Sequence, residues 1–293
     1  MGGQTRFIKR RDKTMSYKTI VVHVDSSPHA AARIDVAAAI ALAEGAHLIG
    51  AAMTGISRFA YPNDRAELAH TVIAQFADVL SRQAHEALER FDVICKDKGV
   101  HSFEQRLIAD DPEGALVLLA RFCDLVVVGQ TDPNQPPPGV VRDLPENVML
   151  NCGRPTLIVP NLDQPIGLGR KALLAWNGRP EAAKAISDSI PLLRHMAGAT
   201  VARIVAAPEE SNSPANDDEE LIAYLARQGI EAEMLVQCSD RDAGEALLSL
   251  ASDSHYGLIV MGGYGHARFR EFLLGGVTRT MLYATPVAVL MSH

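Results

Sequence analysis

Residues 256–282 read YGLIVMGGYGHARFREFLLGGVTRTML. An apolar run, Leu258 to Met261, breaks into Gly262, Gly263 and Gly265; residues of mixed charge and bulk follow, then Gly275 and Gly276, then a helix-like stretch. A short run that is apolar throughout and closed by glycine predicts a strand buried on both faces of a parallel sheet. Glycine weakens helices and strands, so a cluster of it marks a sharp bend or a close backbone approach. The unit is strand, loop, helix.

That unit belongs to a longer pattern, and the pattern is written twice. From Lys18 the chain runs KTIVVHVDSS, PHAAARIDVAAAIALAEG and HLIGAAMTG; from Lys171 it runs KALLAWNGR, PEAAKAISDSIPLLRHMAG and ATVARIVAAPEE. Each copy continues with a helical stretch (Arg65 to Lys98; Asp217 to Gly229) and a short strand (FEQRLIAD; EAEMLVQCS). A helix with an acidic start follows (DDPEGALVLLARFC; SDRDAGEALLSLASDS), then an apolar run (DLVVVG; GLIVMG), a loop, a last helix and a terminal strand (RPTLIVP; TPVAVLM). Strands alternating with helices predict parallel sheets covered on both sides, joined by right-handed crossovers. The expectation is an α/β protein of two tandem doubly wound, Rossmann-like domains, each a mostly parallel five-stranded sheet with helices on both faces. Residues 1–16 read as a disordered tail, 17–160 as the first domain, 161–169 as a linker and 170–293 as the second. The linker is the Pro/Gly-rich PNLDQPIGLG, and MSYKTIVVHVD from Met15 reads as a natural start.

Composition narrows the function. The 293 residues are 47% hydrophobic and 22% charged, with a net charge of -7, which argues against a nucleic-acid partner that would need a basic surface. The basic cluster RFIKRRDK, Arg6 to Lys13, has no apolar run behind it, and no run reaches membrane-spanning length, so neither a signal peptide nor a membrane anchor is expected. Cys95, Cys123, Cys152 and Cys238 lack the close pairing of a zinc site and read as thiols in a reducing cytoplasm.

Glycines at the carboxyl end of a parallel strand, followed by a helix N-terminus, make a site suited to phosphate. The P-loop pattern is absent, the dinucleotide pattern fails because Arg268 stands at its third glycine, and neither a nucleophile elbow nor a His-Glu-x-x-His pair occurs. The spacing that fits is Gly262, then Gly265, then nine residues to Gly275. It resembles the nucleotide-binding motif of the universal stress protein family in its ATP-binding branch, and the strand and helix order matches from about Met15 onward. The resemblance implies an adenine nucleotide held by Gly262, Gly263, Gly265, Gly275, Gly276, Val277 and Thr278; His266, inside the glycine loop, is the histidine placed to touch a phosphate or a metal, with no second ligand at metal spacing beside it. Arg268 is offered as charge for an outer phosphate, Asn177 faces ribose and base, and the backbone near Val205 and Ala206 faces adenine. The family has Ser or Thr where this chain has Gly276, and Asp where it has Asn177.

The first half reverses those departures. Asp25 keeps the family's acid, but its loop reads GQTDPNQPPPGVVRDLPEN, with Gly129 retained, Asp132 at the second glycine, and Arg142 and Asp143 near the closing pair. An acid facing phosphate repels it and prolines remove N–H donors, so this half is expected not to hold a nucleoside triphosphate. There Asp25 reads as a helix cap, with Ser26 or Ser27 sharing the task. Trp176 reads as strand-end packing, Arg268 and Arg270 chiefly as a solvated face, and His23 as a core histidine.

No paired carboxylates, phosphate lysine or base accompany the glycines, so at most slow ATP hydrolysis is expected. The expected function is ATP binding, with or without Mg²⁺, by a cytoplasmic stress-response or regulatory protein that forms a homodimer of tandem chains and binds neither nucleic acid nor membrane. The alternatives are a weak ATPase, or a non-nucleotide binder or structural adaptor with a decayed site. The terminal strands TLIVP and PVAVLM are expected to pair across a pseudo-twofold.

Overall fold

The apolar runs become the inner strands of one sheet. The structure, a computed structural model, describes residues 16–54, 67–131, 144–161, 167–205, 215–240, 242–263 and 276–293. The first half contributes β1 (Thr19–His23), α1 (Ala30–Glu44), β2 (His47–Met53), α2 (Glu67–Lys98), β3 (Phe103–Ile108), α3 (Pro112–Ala120), β4 (Leu125–Gly129), α4 (Leu144–Asn151) and β5 (Thr156–Val159). The second contributes β6 (Ala172–Ala175), α5 (Pro180–Leu193), β7 (Ala199–Val205), α6 (Ala215–Arg227), β8 (Ala232–Cys238), α7 (Ala243–Asp253), β9 (Leu258–Gly262), α8 (Gly276–Ala284) and β10 (Ala288–Ser292).

The ten strands lie in the order β3-β2-β1-β4-β5-β10-β9-β6-β7-β8. Every neighbouring pair is parallel except β5 and β10, which run antiparallel with Leu157 opposite Leu290. Leu157 pairs with Val127 of β4 as Leu290 pairs with Val260 of β9, so a pseudo-twofold passes through the Leu157–Leu290 pair. The two halves thereby share both cores. On the side of α1, α2, α5 and α6, Ile20, Phe91, Leu157, Leu174 and Leu290 belong to one apolar cluster. On the side of α3, α4, α7 and α8, Val21, Leu116, Ile158, Ile259 and Val289 belong to the other. Burial of this kind is the main favourable term in folding, and here it couples the halves.

Local signals account for the helix starts. Asp111 caps α3 by accepting from Gly114 N at 2.8 Å, with Pro112 in the first turn; Asp242 caps α7 by accepting from Gly244 N at 2.8 Å. Polar contacts stitch the seam: the Tyr17 hydroxyl donates to the Asp188 carbonyl at 2.7 Å, and His195 Nε2 lies 2.6 Å from Glu44 Oε1. Burial pushes the Tyr17 hydroxyl well above its usual pKa, helped by the charges of Asp188, Glu44 and Asp124. The stretch around Arg65 to Lys98 contains α2, at 32 residues far longer than the 13-residue α6 in the matching place. The tail, apart from Ser16, and linker residues 162–166 lie outside the described residues.

Candidate functional site

Chain direction splits at two places in the sheet, between β1 and β4 and between β6 and β9, and the carboxyl ends of the strands there are where open α/β sheets place a ligand crevice. The register makes Asp25 and Asn177 equivalent, and likewise Gly129 and Gly262.

In the first half the crevice is neutralised from within. Arg33 of α1 is buried, its Nε donates to the His23 carbonyl at 2.7 Å, and its Nη2 stands 2.8 Å from Asp25 Oδ1. The Nη2 contact is an ion pair rather than a hydrogen bond. Any side chain at 129 would collide with Arg33 Nη1, so Gly129 leaves the room the guanidinium takes. Asp25 Oδ1 also accepts from Ser27 N at 3.0 Å and from Ser27 Oγ at 2.6 Å. Burial opposes the charge on Asp25, but Arg33, then His23 and the two Ser27 bonds outweigh it and hold the carboxyl well below the usual carboxylate range. Burial lowers the His23 pKa to about 4, against the pull of Asp25 and with the help of Arg33. His23 is thus a buried histidine of the β1 end. The expected capping role of Asp25 is corrected: the N-cap of α1 is His29, with no side-chain cap bond, because Asp25 turns to Ser27 and Arg33 instead.

In the second half the same two places are held by Asn177 and Ala185. Asn177 is exposed and its Oδ1 accepts from Arg179 N at 3.1 Å, the same turn that Asp25 makes with Ser27. Ala185 is buried and brings no charge beneath it. The neutral Asn177 accompanies the missing arginine: an acid there would have no Arg33 to offset it.

The glycines at the end of β9 have packing tasks. A Cβ at 262 would stand 2.5 Å from the Glu181 carbonyl carbon and 2.7 Å from Ala182 N, so Gly262 lets the first turn of α5 press onto the strand. A Cβ at 263 would stand 2.6 Å from Met149 Sδ of α4, in the other half. Gly263 N donates to the Ser292 carbonyl at 2.8 Å, so this amide is already engaged. Gly276 opens α8, followed by half-buried Val277 and buried Thr278. Asp242 Oδ2 lies 3.3 Å from where a Cβ at 276 would stand, close quarters that favour glycine there. Val205 ends β7 and is buried. Trp176 packs on the core beside α5 and α6, and its Nε1 donates to Asp218 Oδ1 at 3.2 Å.

Ala206, Gly265, His266, Arg268 and Gly275 lie outside the described residues, as do Asp132, Arg142 and Asp143 of the first half. Among the described residues no three of His, Cys, Asp and Glu group to hold a metal, and no helix is long and apolar enough to cross a membrane. Arg33 was missed from the sequence, although it sits on the apolar stripe of α1 set by Ala30, Ile34, Ala37 and Ala41. The Asp218 contact carried no comparable signal.

Residues 170–293 match the universal stress protein family. A curated universal stress protein of Synechocystis sp. is 27% identical over 154 residues, covering 50% of this chain and 49% of that protein. The chain thus spans about half the length of the curated relative it matches. The crystal structure of a universal stress protein from Archaeoglobus fulgidus covers 94% of this chain and 95% of its own, at 14% identity and TM-score 0.71, and so shares the fold of both halves. A universal stress protein crystallised in complex with cAMP aligns with 50% of this chain and 100% of its own, at 26% identity and TM-score 0.35.

Proposed function

We propose that the chain is two universal stress protein-like domains in tandem, residues 17–160 and 170–293, of which the second binds an adenine nucleotide, ATP with or without Mg²⁺. The observation that carries this reading is the contrast between the halves: Arg33 neutralises Asp25 in the first, while in the second the place of Arg33 is held by the buried, uncharged Ala185 and that of Asp25 by Asn177. The glycine spacing 262, 265, 275 and the start of α8 at Gly276 support a phosphate seat in that same half.

The nucleotide would be held by Asn177, the backbone at Val205 and Ala206, the glycine loop with His266 and Arg268, and Gly276, Val277 and Thr278. Its role is regulatory, in a stress response, and any hydrolysis is slow. Four free cysteines suit a reducing cytoplasm. Because β5 and β10 already pair within one chain, a homodimer of chains would use surface away from that seam.

A second reading is a structural adaptor whose site has decayed. It is favoured by the engaged amide of Gly263 and by the Asp242 carboxylate beside Gly276, which repels phosphate. Equilibrium binding of ATP to the parent and to Gly265→Asp separates the two. The nucleotide reading expects binding by the parent and its loss in the variant with folding unchanged. Equal binding by both would remove the glycine loop as the phosphate seat, and no binding by either would favour the adaptor.

A further inference from the structure

Trp176, Arg203 and Asp218 meet at the carboxyl ends of β6 and β7, on the face covered by α5 and α6. Trp176 follows β6 and directly precedes Asn177; Arg203 lies in β7 shortly before Val205; Asp218 stands in the first turn of α6. Asp218 Oδ1 accepts from Trp176 Nε1 at 3.2 Å, and its Oδ2 pairs with Arg203 Nη2. The side chains of Arg203 and Asp218 are only 9% and 17% exposed, so the pair is largely out of water. One carboxylate therefore ties α6 to two neighbouring strands.

The first half supplies an internal control. Val24 N donates to the Ala51 carbonyl as Trp176 N donates to the Ala202 carbonyl. Val24 thus holds the place of Trp176, and Ala52 that of Arg203; both are buried and apolar. Aliphatic side chains meet the packing needs of these places within this same chain. A buried charge pair is poorly repaid by its own attraction, and apolar replacement is often neutral or stabilising. The polar set stands in the half whose crevice lacks the arginine.

We infer that Asp218 is a positioning residue for the second-half ligand: it fixes the Trp176 indole and the end of β7 as one wall of the crevice, on the side of the nucleotide base. The inference rests on the nucleotide reading above. A wall fixed before binding spares the ligand the cost of ordering it. Trp176 is half-buried on the core, and with its N–H already bonded the part of the indole left open offers apolar surface to a planar base rather than a donor to phosphate.

Trp176 is the sole tryptophan, so its emission reports on this wall alone. The experiment titrates ATP with Mg²⁺ into the full chain, following both binding heat and Trp176 emission. The parent is expected to show a saturable emission change. The pair Arg203→Ala with Asp218→Leu, apolar like the first half, is expected to bind about tenfold more weakly, with the ATP-linked emission change lost. Asp218→Glu should recover part of both. Should the double variant not fold, Asp218→Asn, which keeps the size and removes the charge, is expected to weaken binding and blunt the emission change in the same direction. Parent-like affinity and emission response in the folded variants would overturn the role of Asp218 while leaving the nucleotide reading intact. A parent that binds no ATP would overturn both.

Discussion

Arg33 Nη2 stands 2.8 Å from Asp25 Oδ1, and the equivalent places in the second half are held by Ala185 and Asn177. Two halves with the same strand order thus differ at one position. The first keeps the acid and offsets it internally; the second gives up both charges.

The pair should therefore behave as a unit. Arg33→Ala strands a largely buried carboxylate and is expected to cost about 3 to 5 kcal/mol. Adding Asp25→Asn, which copies the second half, should restore part of that loss, with a coupling of roughly 1 to 3 kcal/mol in a double-mutant cycle read by urea unfolding. Additive losses would show that the two side chains do not depend on each other.

Acid should weaken the fold through His23. Its pKa is lowered from 6.5 to about 4, so the unfolded chain binds its proton first as pH falls. The stability linked to His23 is fully present above pH 6.5 and is lost as pH falls toward about 4, to an extent of roughly 3 kcal/mol. His23→Leu should flatten the stability profile across that window. Asp25 is also depressed, so its contribution persists above the usual carboxylate range and disappears only in stronger acid. A parent profile that is flat between those limits would contradict the burial assigned to His23.

The glycines at the two edges of the loop should differ in what they do for stability. Gly262→Ala drives a Cβ into the backbone of Glu181 and Ala182 and is expected to cost about 1 to 3 kcal/mol without any nucleotide present. Among the described residues a Cβ at 276 meets the Asp242 carboxylate, with Oδ2 nearest at 3.3 Å, so Gly276→Ser should shift stability by no more than about 0.5 kcal/mol. Urea titrations of the nucleotide-free variants make the comparison; equal losses would mean that Gly262 has no packing task.

Thiol reactivity should single out one cysteine. Burial, with the charge of Asp92, pushes Cys95 up to about 12, and burial, with Cys152, does the same for Cys123. Cys152 is buried as well, whereas Cys238 on β8 is exposed. A thiol-specific chromogen at neutral pH should react quickly with one group per chain, lost in Cys238→Ser. Rapid reaction of a second thiol in the folded protein would contradict the burial.

The fold was legible because strands covered on both faces carry unbroken apolar runs. LVVVG and LIVMG become β4 and β9, and TLIV becomes β5, whose antiparallel pairing with β10 joins the halves. The asymmetry of the crevices was only half legible. Asn177 and the prolines of the first loop stand in plain text, but Arg33 reads as one more helical residue until α1 lies against β1. Asp25 reads in the sequence as a cap because Asp before a helix usually is one; a buried guanidinium within reach is the stronger partner. The Trp176–Asp218 contact spans 42 positions and has no periodic signal, so it emerges only with the sheet order.

Calorimetric titration of the nucleotide-stripped full chain with ATP and Mg²⁺ tests the second-half site. Saturation at one ATP per chain is expected, abolished by Gly265→Asp and unaffected by Asp132→Gly. Two ATP per chain, or none together with no nucleotide released from the freshly denatured protein, would contradict it.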